Sequence, residues 1–288
     1  MKFSSLSSLK RASRRPWYYP LLSATVATSL IVGTPQVGQA ISWFDILLQG
    51  ARVVQLSNMS TRQEIQLGQQ INQQIVNNDV RLYGNRQLNQ YINQLGQRLA
   101  KNSDRPDIPY TFQVVDDPAI NAFATMGGFV YVNTGTIAAA ANEAELASVI
   151  AHEIAHIAGR HAVKQMRQAA IAQGISTAAG VNNSQAVQLG VQLALSRPRS
   201  RQDEYDADQR GLLTLRRAGY AEAPIVSFMQ KLMAGSQGGV PTFLSTHPGT
   251  GERINNLRRL INPARANVGA GLNSTTYNSQ VKALLRYQ

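Results

Sequence analysis

Two histidines four residues apart, His152 and His156, with Glu153 beside the first, form the pattern HExxH. On a helix, residues i and i+4 share a face, so both imidazoles can reach one metal ion. The carboxylate between them can act as general base on the water that such a metal activates. The chain has four histidines in 288 residues, so half of them are spent here. The plain alternative is an amphipathic helix with two solvated histidines. The helix itself has local support. Asn142 is placed as N-cap and Glu145 stands three residues on, where a capping-box acid belongs. From Glu143 to about Gln173 there is no proline and, apart from Gly159, no glycine, which predicts one continuous helix. Leu146, Val149, Ile150, Ile154 and Ile157 recur at threes and fours as a buried stripe. The two histidines lie at its edge, at the floor of a cleft.

A catalytic zinc site takes three protein ligands and keeps one position open. His161 lies nine residues after His152. At about 100° per residue, a continuous helix puts it on roughly the opposite face, so it reads as a polar side chain on the solvated or packing face. Glu204, in a second predicted helix running from after Pro198 to about Ala218, is the better third ligand. Asp208, four residues on, shares its face and can accept the free ring N–H of a ligand histidine. The alternative is a charged, solvated face with Arg201 and Arg210 as partners. The remaining histidine, His247, sits in Ser-Thr-His-Pro, where Pro248 stiffens the turn. A fixed imidazole there could donate a hydrogen bond to the oxyanion of a tetrahedral intermediate, or could fill the open zinc position; a solvated loop histidine is the plain reading.

Taken together, HEIAHIAGRH from His152, SRQDEYDAD from Ser200, and Ser245-Thr246-His247-Pro248 followed by Glu252-Arg253-Ile254 resemble the metallopeptidases grouped with the CAAX prenyl proteases, the HtpX-type and the periplasmic BepA-type proteases. NAFATMGGFVYVNTGTI, from Asn121 to Ile137, is similar to the segment these proteins carry before their zinc helix. The resemblance covers roughly residues 109–260. It implies a gluzincin fold, zinc held by His152, His156 and Glu204, and Glu153 as general base. Thr136-Ile137 is less apolar than the pair many relatives carry. The chain is expected to lack both the helical repeat domain of BepA-type proteins and the multiple spans of the membrane-embedded relatives, so substrate choice is not transferred from them.

Composition narrows the setting. Lys2, Lys10, Arg11, Arg14 and Arg15 precede an apolar run from Leu21 to Val32, and Gly38-Gln39-Ala40 offers small residues for cleavage. These are the three regions of a secretory signal peptide; the run is short for a membrane span, an uncleaved anchor being the alternative. Without those five basic residues the formal charge falls from +12 to +7. The remaining arginines are scattered without aromatic partners, which argues against nucleic acid and favours acidic substrate segments or peripheral contact with an anionic membrane. With no cysteine, disulfides and thiol-protease chemistry are excluded.

The remaining pattern predicts an apolar helix over 43–59, for packing or membrane contact, then two helices between about Thr61 and Ala100 broken near Tyr83-Gly84-Asn85. Tyr110–Val115 and Phe129–Asn133 read as strands of a small antiparallel sheet beside the zinc helix. An exposed edge along Gly128, Phe129, Val130 and Tyr131 would bind an extended substrate; a fully paired strand is the alternative. Residues 174–197 read as a mobile cover or as a helical connection. A helix from Ala221 to Met233, the His247 turn and a helix over Thr250–Leu260 complete the pattern. The expected organisation is a signal peptide (1–40), an N-terminal helical segment (41–108), a metallopeptidase core (109–262) and a tail (263–288), in an α+β, mostly helical gluzincin-like fold. The function expected is that of an exported endopeptidase with one zinc ion per chain, acting on misfolded or envelope-associated proteins. The rival reading is a zinc-stabilised holdase with an occluded site.

Overall fold

The structure is a computed structural model that describes residues 53–54, 56, 58–173, 181–196, 198–234 and 242–285. All of them belong to the unit Arg52–Gln288. The expected signal peptide lies outside the described residues.

A short strand β1 (Val53–Val54) leads into helices α1 (Thr61–Asn78) and α2 (Arg86–Ala100). The N-cap of α1 is a capping box, Ser60 with Gln63, and that of α2 is Asn85, which accepts from Leu88 N. The break between them falls at Tyr83-Gly84-Asn85, as the pattern predicts. The apolar helix expected over 43–59 does not extend to its end. Val53–Val54 is a strand paired with β5 (Val181–Asn182), and Leu56 and Met59 pack into the core. Residues 43–52 lie outside the described residues.

Strands β2 (Thr111–Val115), β3 (Ala122–Ala124) and β4 (Phe129–Asn133) form a sheet in the order β2-β4-β3. The expected antiparallel sheet is in fact mixed: β2 and β4 run parallel, and only β3 is antiparallel to β4. Parallel neighbours need a crossover. Here the chain passes to the far edge as β3 before returning as the middle strand. The alternation of the pleat splits the core. Val114, Val130 and Val132 join one apolar cluster with α2 and the zinc helix. Val115, Phe123, Phe129 and Tyr131 join a second with α1.

After α3 (Thr134–Ala139) comes the zinc helix α4 (Glu143–Ala158), with Asn142 capping Glu145 N at 3.0 Å. It is buried from Ala144 to Ile157, the central element of the fold. The continuous helix expected to about Gln173 is instead two. Gly159 ends α4, Arg160 adopts φ +54°, and α5 (His161–Ala172) sets off in a new direction. A left-handed residue breaks the i→i−4 ladder, and no hydrophobic period signals it. In the segment 174–197, α6 (Asn183–Ser196) is a packed helix, with Gly190 seated against Ile71 of α1; residues 174–180 lie outside the described residues.

Helix α7 (Arg201–Arg217) is capped by Ser200, and the chain turns at Gly219, φ +79°. Then come α8 (Pro224–Ala234), α9 (Thr242–Thr246), α10 (Thr250–Leu260) and α11 (Ser274–Gln280). Beyond Pro263 the chain packs back on the core: Ala144 N donates to Gly271 O, and Tyr277 Oη donates to Ile137 O at 2.7 Å. The fold is α+β and mostly helical. Among the described residues no helix is long and apolar enough to cross a membrane.

Candidate zinc centre

The centre is assembled from two helices and one turn. His152 and His156 come from α4, one turn apart. Helix α7 crosses α4 closely at Gly211, where a Cβ would lie 3.3 Å from the His152 backbone. That approach brings Glu204 and Asp208, on the same helix, against the histidines. His247 enters from the turn after α9, stacked on Phe243 with ring centroids 4.4 Å apart.

His152, His156, Glu204 and His247 each aim one donor atom at a common point, all within 4.8 Å of one another. The spacings are 3.1 Å between His152 Nε2 and His156 Nε2, 3.3 Å from each of these to Glu204, and 3.1 Å from His247 Nδ1 to Glu204 Oε1. Four ligands held about 2.0–2.1 Å from zinc in a tetrahedron are roughly 3.3–3.4 Å apart. The donor set, two to three imidazoles and one carboxylate, is a zinc set, and the four residues are at most 3% exposed. Burial alone would raise the Glu204 pKa, but the His247 and His156 imidazoles and the bond from His152 hold it well below the usual carboxylate range, so it is ionised as a ligand must be. These residues fit the metal.

Glu153 is fully buried, and neither of its carboxylate oxygens has a hydrogen-bond partner among the described residues. The nitrogens facing it are His247 Nε2 at 3.4 Å and Arg199 Nη2 at 4.0 Å. An unbonded buried carboxylate is costly and is retained here at the rim of the ligand cluster. Asp208 Oδ1 lies 3.1 Å from His152 Nδ1, although the ring N–H is off the line of the contact.

Of the sequence-predicted site residues, His152, Glu153, His156, Glu204, Asp208 and His247 come together. Gly128, Phe129, Val130 and Tyr131 do not form an open edge. They lie on or beside β4, the middle strand, buried and hydrogen-bonded on both sides by β2 and β3. The outer strand on that side is β3. Asn133 N donates to Asn121 O and Thr125 N to Phe129 O, so Ala122 and Ala124 direct their backbone groups away from β4. That side is covered: Arg199 Nη2 donates to Ala124 O at 3.1 Å, and Phe243 N of α9 to Ile120 O at 3.1 Å.

Three residues were given no role in the site by sequence reasoning. Arg253 is 2% exposed and forks onto Asp208 at 2.8 and 2.6 Å, with Glu204 Oε2 at 2.6 Å and the His247 carbonyl at 3.3 Å. A signal existed: Arg253, Ile254 and Leu257 share the buried face of α10, and an arginine on an apolar stripe needs carboxylates. Arg199 and His161 carried no such signal. His161, expected on a solvated or packing face, is 4% exposed with its Nδ1 2.8 Å from His156 Nδ1. The break at Arg160 swings it back toward the zinc helix. Burial holds its pKa below the ordinary imidazole value.

Comparison with known proteins agrees with this geometry. Residues 86–261 match peptidase family M48. The chain is 29% identical over 266 residues to the beta-barrel assembly-enhancing protease of Escherichia coli K12, covering 85% of this chain and 53% of that protein. It is 32% identical over 191 residues to its Yersinia pestis counterpart, covering 61% and 39%. It is 31% identical over 175 residues to the mitochondrial metalloendopeptidase OMA1 of Saccharomyces cerevisiae, covering 56% and 49%. The chain thus spans about two-fifths to half the length of these relatives. With the HExxH helix, the downstream glutamate and a family match over more than half its length, the chain belongs to peptidase family M48.

Proposed function

We propose that this protein is an exported zinc endopeptidase with one metal ion per chain, held by His152, His156 and Glu204. The observation that carries the reading is Glu153, a fully buried carboxylate with both oxygens unbonded beside four converging ligands; a purely structural metal site has no use for it. Zinc, when bound, polarises the scissile carbonyl and makes water acidic enough to deprotonate near neutral pH. Glu153 takes that proton and returns it to the leaving amine. The extended substrate pairs with the outward side of β3, at Ala122 and Ala124, in place of the β4 edge.

His247 is the fourth ligand of a resting state. Its Nδ1 stands within 3.1–3.3 Å of Glu204 and His152, and its Nε2 faces Glu153. The α9 segment thereby closes two things together, the metal position through His247 and the β3 side through Phe243. Access requires α9 to move and Arg199 Nη2 to leave the Ala124 carbonyl.

The basic, apolar and small-residue regions of residues 1–40 support export, with Ile41 as the mature N-terminus. The name of the bacterial relatives, a beta-barrel assembly-enhancing protease, supports envelope-associated proteins as substrates. The occluded site also fits a zinc-stabilised holdase, and one experiment separates the two. The mature chain is assayed for bound zinc and for cleavage of casein, alongside Glu153→Gln. Cleavage by the wild type and its loss in a variant that keeps its zinc support the peptidase; zinc without cleavage in either form leaves the holdase.

A further inference from the structure

We infer that His161 and Asp206 form a relay behind the zinc site that holds the ring of His156 in the tautomer and orientation a ligand needs. The inference rests on the zinc reading above. His156 turns its Nε2 toward the other ligands, 3.1 Å from His152 Nε2 and 3.3 Å from Glu204 Oε1. A histidine that offers the Nε2 lone pair carries its proton on Nδ1. That Nδ1 is 2.8 Å from His161 Nδ1, so His156 donates and His161 accepts. The His161 proton is then on Nε2, which is 3.1 Å from Asp206 Oδ2. Asp206 is in turn held by Arg210 Nε at 2.6 Å.

The arrangement is built rather than incidental. In a continuous helix His161 would face away from His156. It returns because Gly159 ends α4 and Arg160 takes φ +54°, a conformation L residues rarely adopt. Arg160 is fixed there by Glu64, at 3.0 Å, and by the Met59 carbonyl, at 2.6 Å. Gly159 makes the space: a Cβ at that position would lie 2.4 Å from His161 Nε2 and 2.8 Å from Asp206 Oδ2. Ligand histidines in zinc sites commonly donate their second N–H to an orienting acceptor. His152 Nδ1 has a carboxylate oxygen of Asp208 at 3.1 Å. Among the described residues His156 has no carboxylate on that nitrogen and reaches one through a second imidazole.

The test uses the mature chain and zinc affinity, measured by competition with a chromophoric chelator, with the visible spectrum of the cobalt-substituted protein as a reading of ligand geometry. His161→Ala is expected to lose about 10–100-fold in affinity. His161→Asn, whose Oδ1 can accept where Nδ1 did, is expected to recover most of that loss and the wild-type cobalt spectrum. Asp206→Asn is expected to weaken binding in the wild type and to have no further effect in His161→Ala, because it acts through His161. Wild-type affinity in a folded His161→Ala, an Asn variant no better than Ala, or additive losses from Asp206→Asn would each overturn the relay. If His161→Ala fails to fold, Asp206→Asn decides alone, and unchanged affinity there overturns the relay. A wild-type chain that binds no zinc overturns the zinc reading and the relay with it, whereas tight zinc with an indifferent His161 overturns only the relay.

Discussion

Arg253 is the most informative single perturbation. Its guanidinium is 2% exposed and lies between two buried carboxylates, bidentate on Asp208 and 2.6 Å from Glu204. Arg253→Met keeps much of the side-chain volume and removes the charge. In the metal-free protein this leaves Asp208 and Glu204 with the His152 ring in place of the guanidinium fork, and no longer with Arg253. Removing one partner of a buried ion pair costs about 3–5 kcal/mol, because the other charge stays buried and unpaired. For a body of this size each kcal/mol moves Tm by roughly 2–4 °C, which gives a drop of about 6–20 °C. Arg253→Lys should fall between, since an ammonium keeps the charge and loses the fork. Replacing Asp208 as well, Arg253→Met with Asp208→Leu, should be more stable than Arg253→Met alone, because one of the two carboxylates that lose the guanidinium is removed with it. Added zinc should narrow the gap between variant and wild type by restoring a cation beside Glu204. The assay is thermal unfolding by circular dichroism, in chelator and in excess zinc. A shift below about 2 °C for Arg253→Met in chelator, or a double variant less stable than the single one, refutes the reasoning.

Two other outcomes are expected of the same site. His247→Ala should retain zinc and raise basal cleavage of a peptide substrate, because the fourth ligand is gone; reduced turnover with zinc retained would instead assign His247 to the oxyanion. Without metal, burial pulls the His152 ring toward neutral, but Asp208 and Glu204 outweigh it and push its pKa up to about 9. A raised pKa means that below that value a proton has to leave before the nitrogen can bind zinc. Apparent zinc affinity should therefore fall as pH drops from 9 to 7, by up to about tenfold per unit, and level off above 9. Affinity independent of pH across that window would contradict the assignment.

The metal ligands were legible in the sequence because helical spacing is a local rule. Four residues along α4 place His152 and His156 on one face, and four along α7 pair Glu204 with Asp208, whatever the rest of the chain does. Caps are equally local, and Asn142, Asn85 and the glycine turn at Gly219 stood where their residue types imply. What depended on neighbours distant in sequence was not legible. The sheet order puts β4 in the middle and β3 at the rim, and only the paths of the connecting segments set that order. Arg253 is polar on an apolar stripe until α7 brings two carboxylates to it. The fate of His161 turns on one backbone torsion at Arg160, fixed by Glu64 from another helix. Periodicity extrapolates a helix smoothly and carries no sign of such a break. Residue identity along each helix therefore determined the ligands. The packing of α1, α7 and α10 around α4 decided which side chains orient them, because burial and charge pairing are properties of the assembled core.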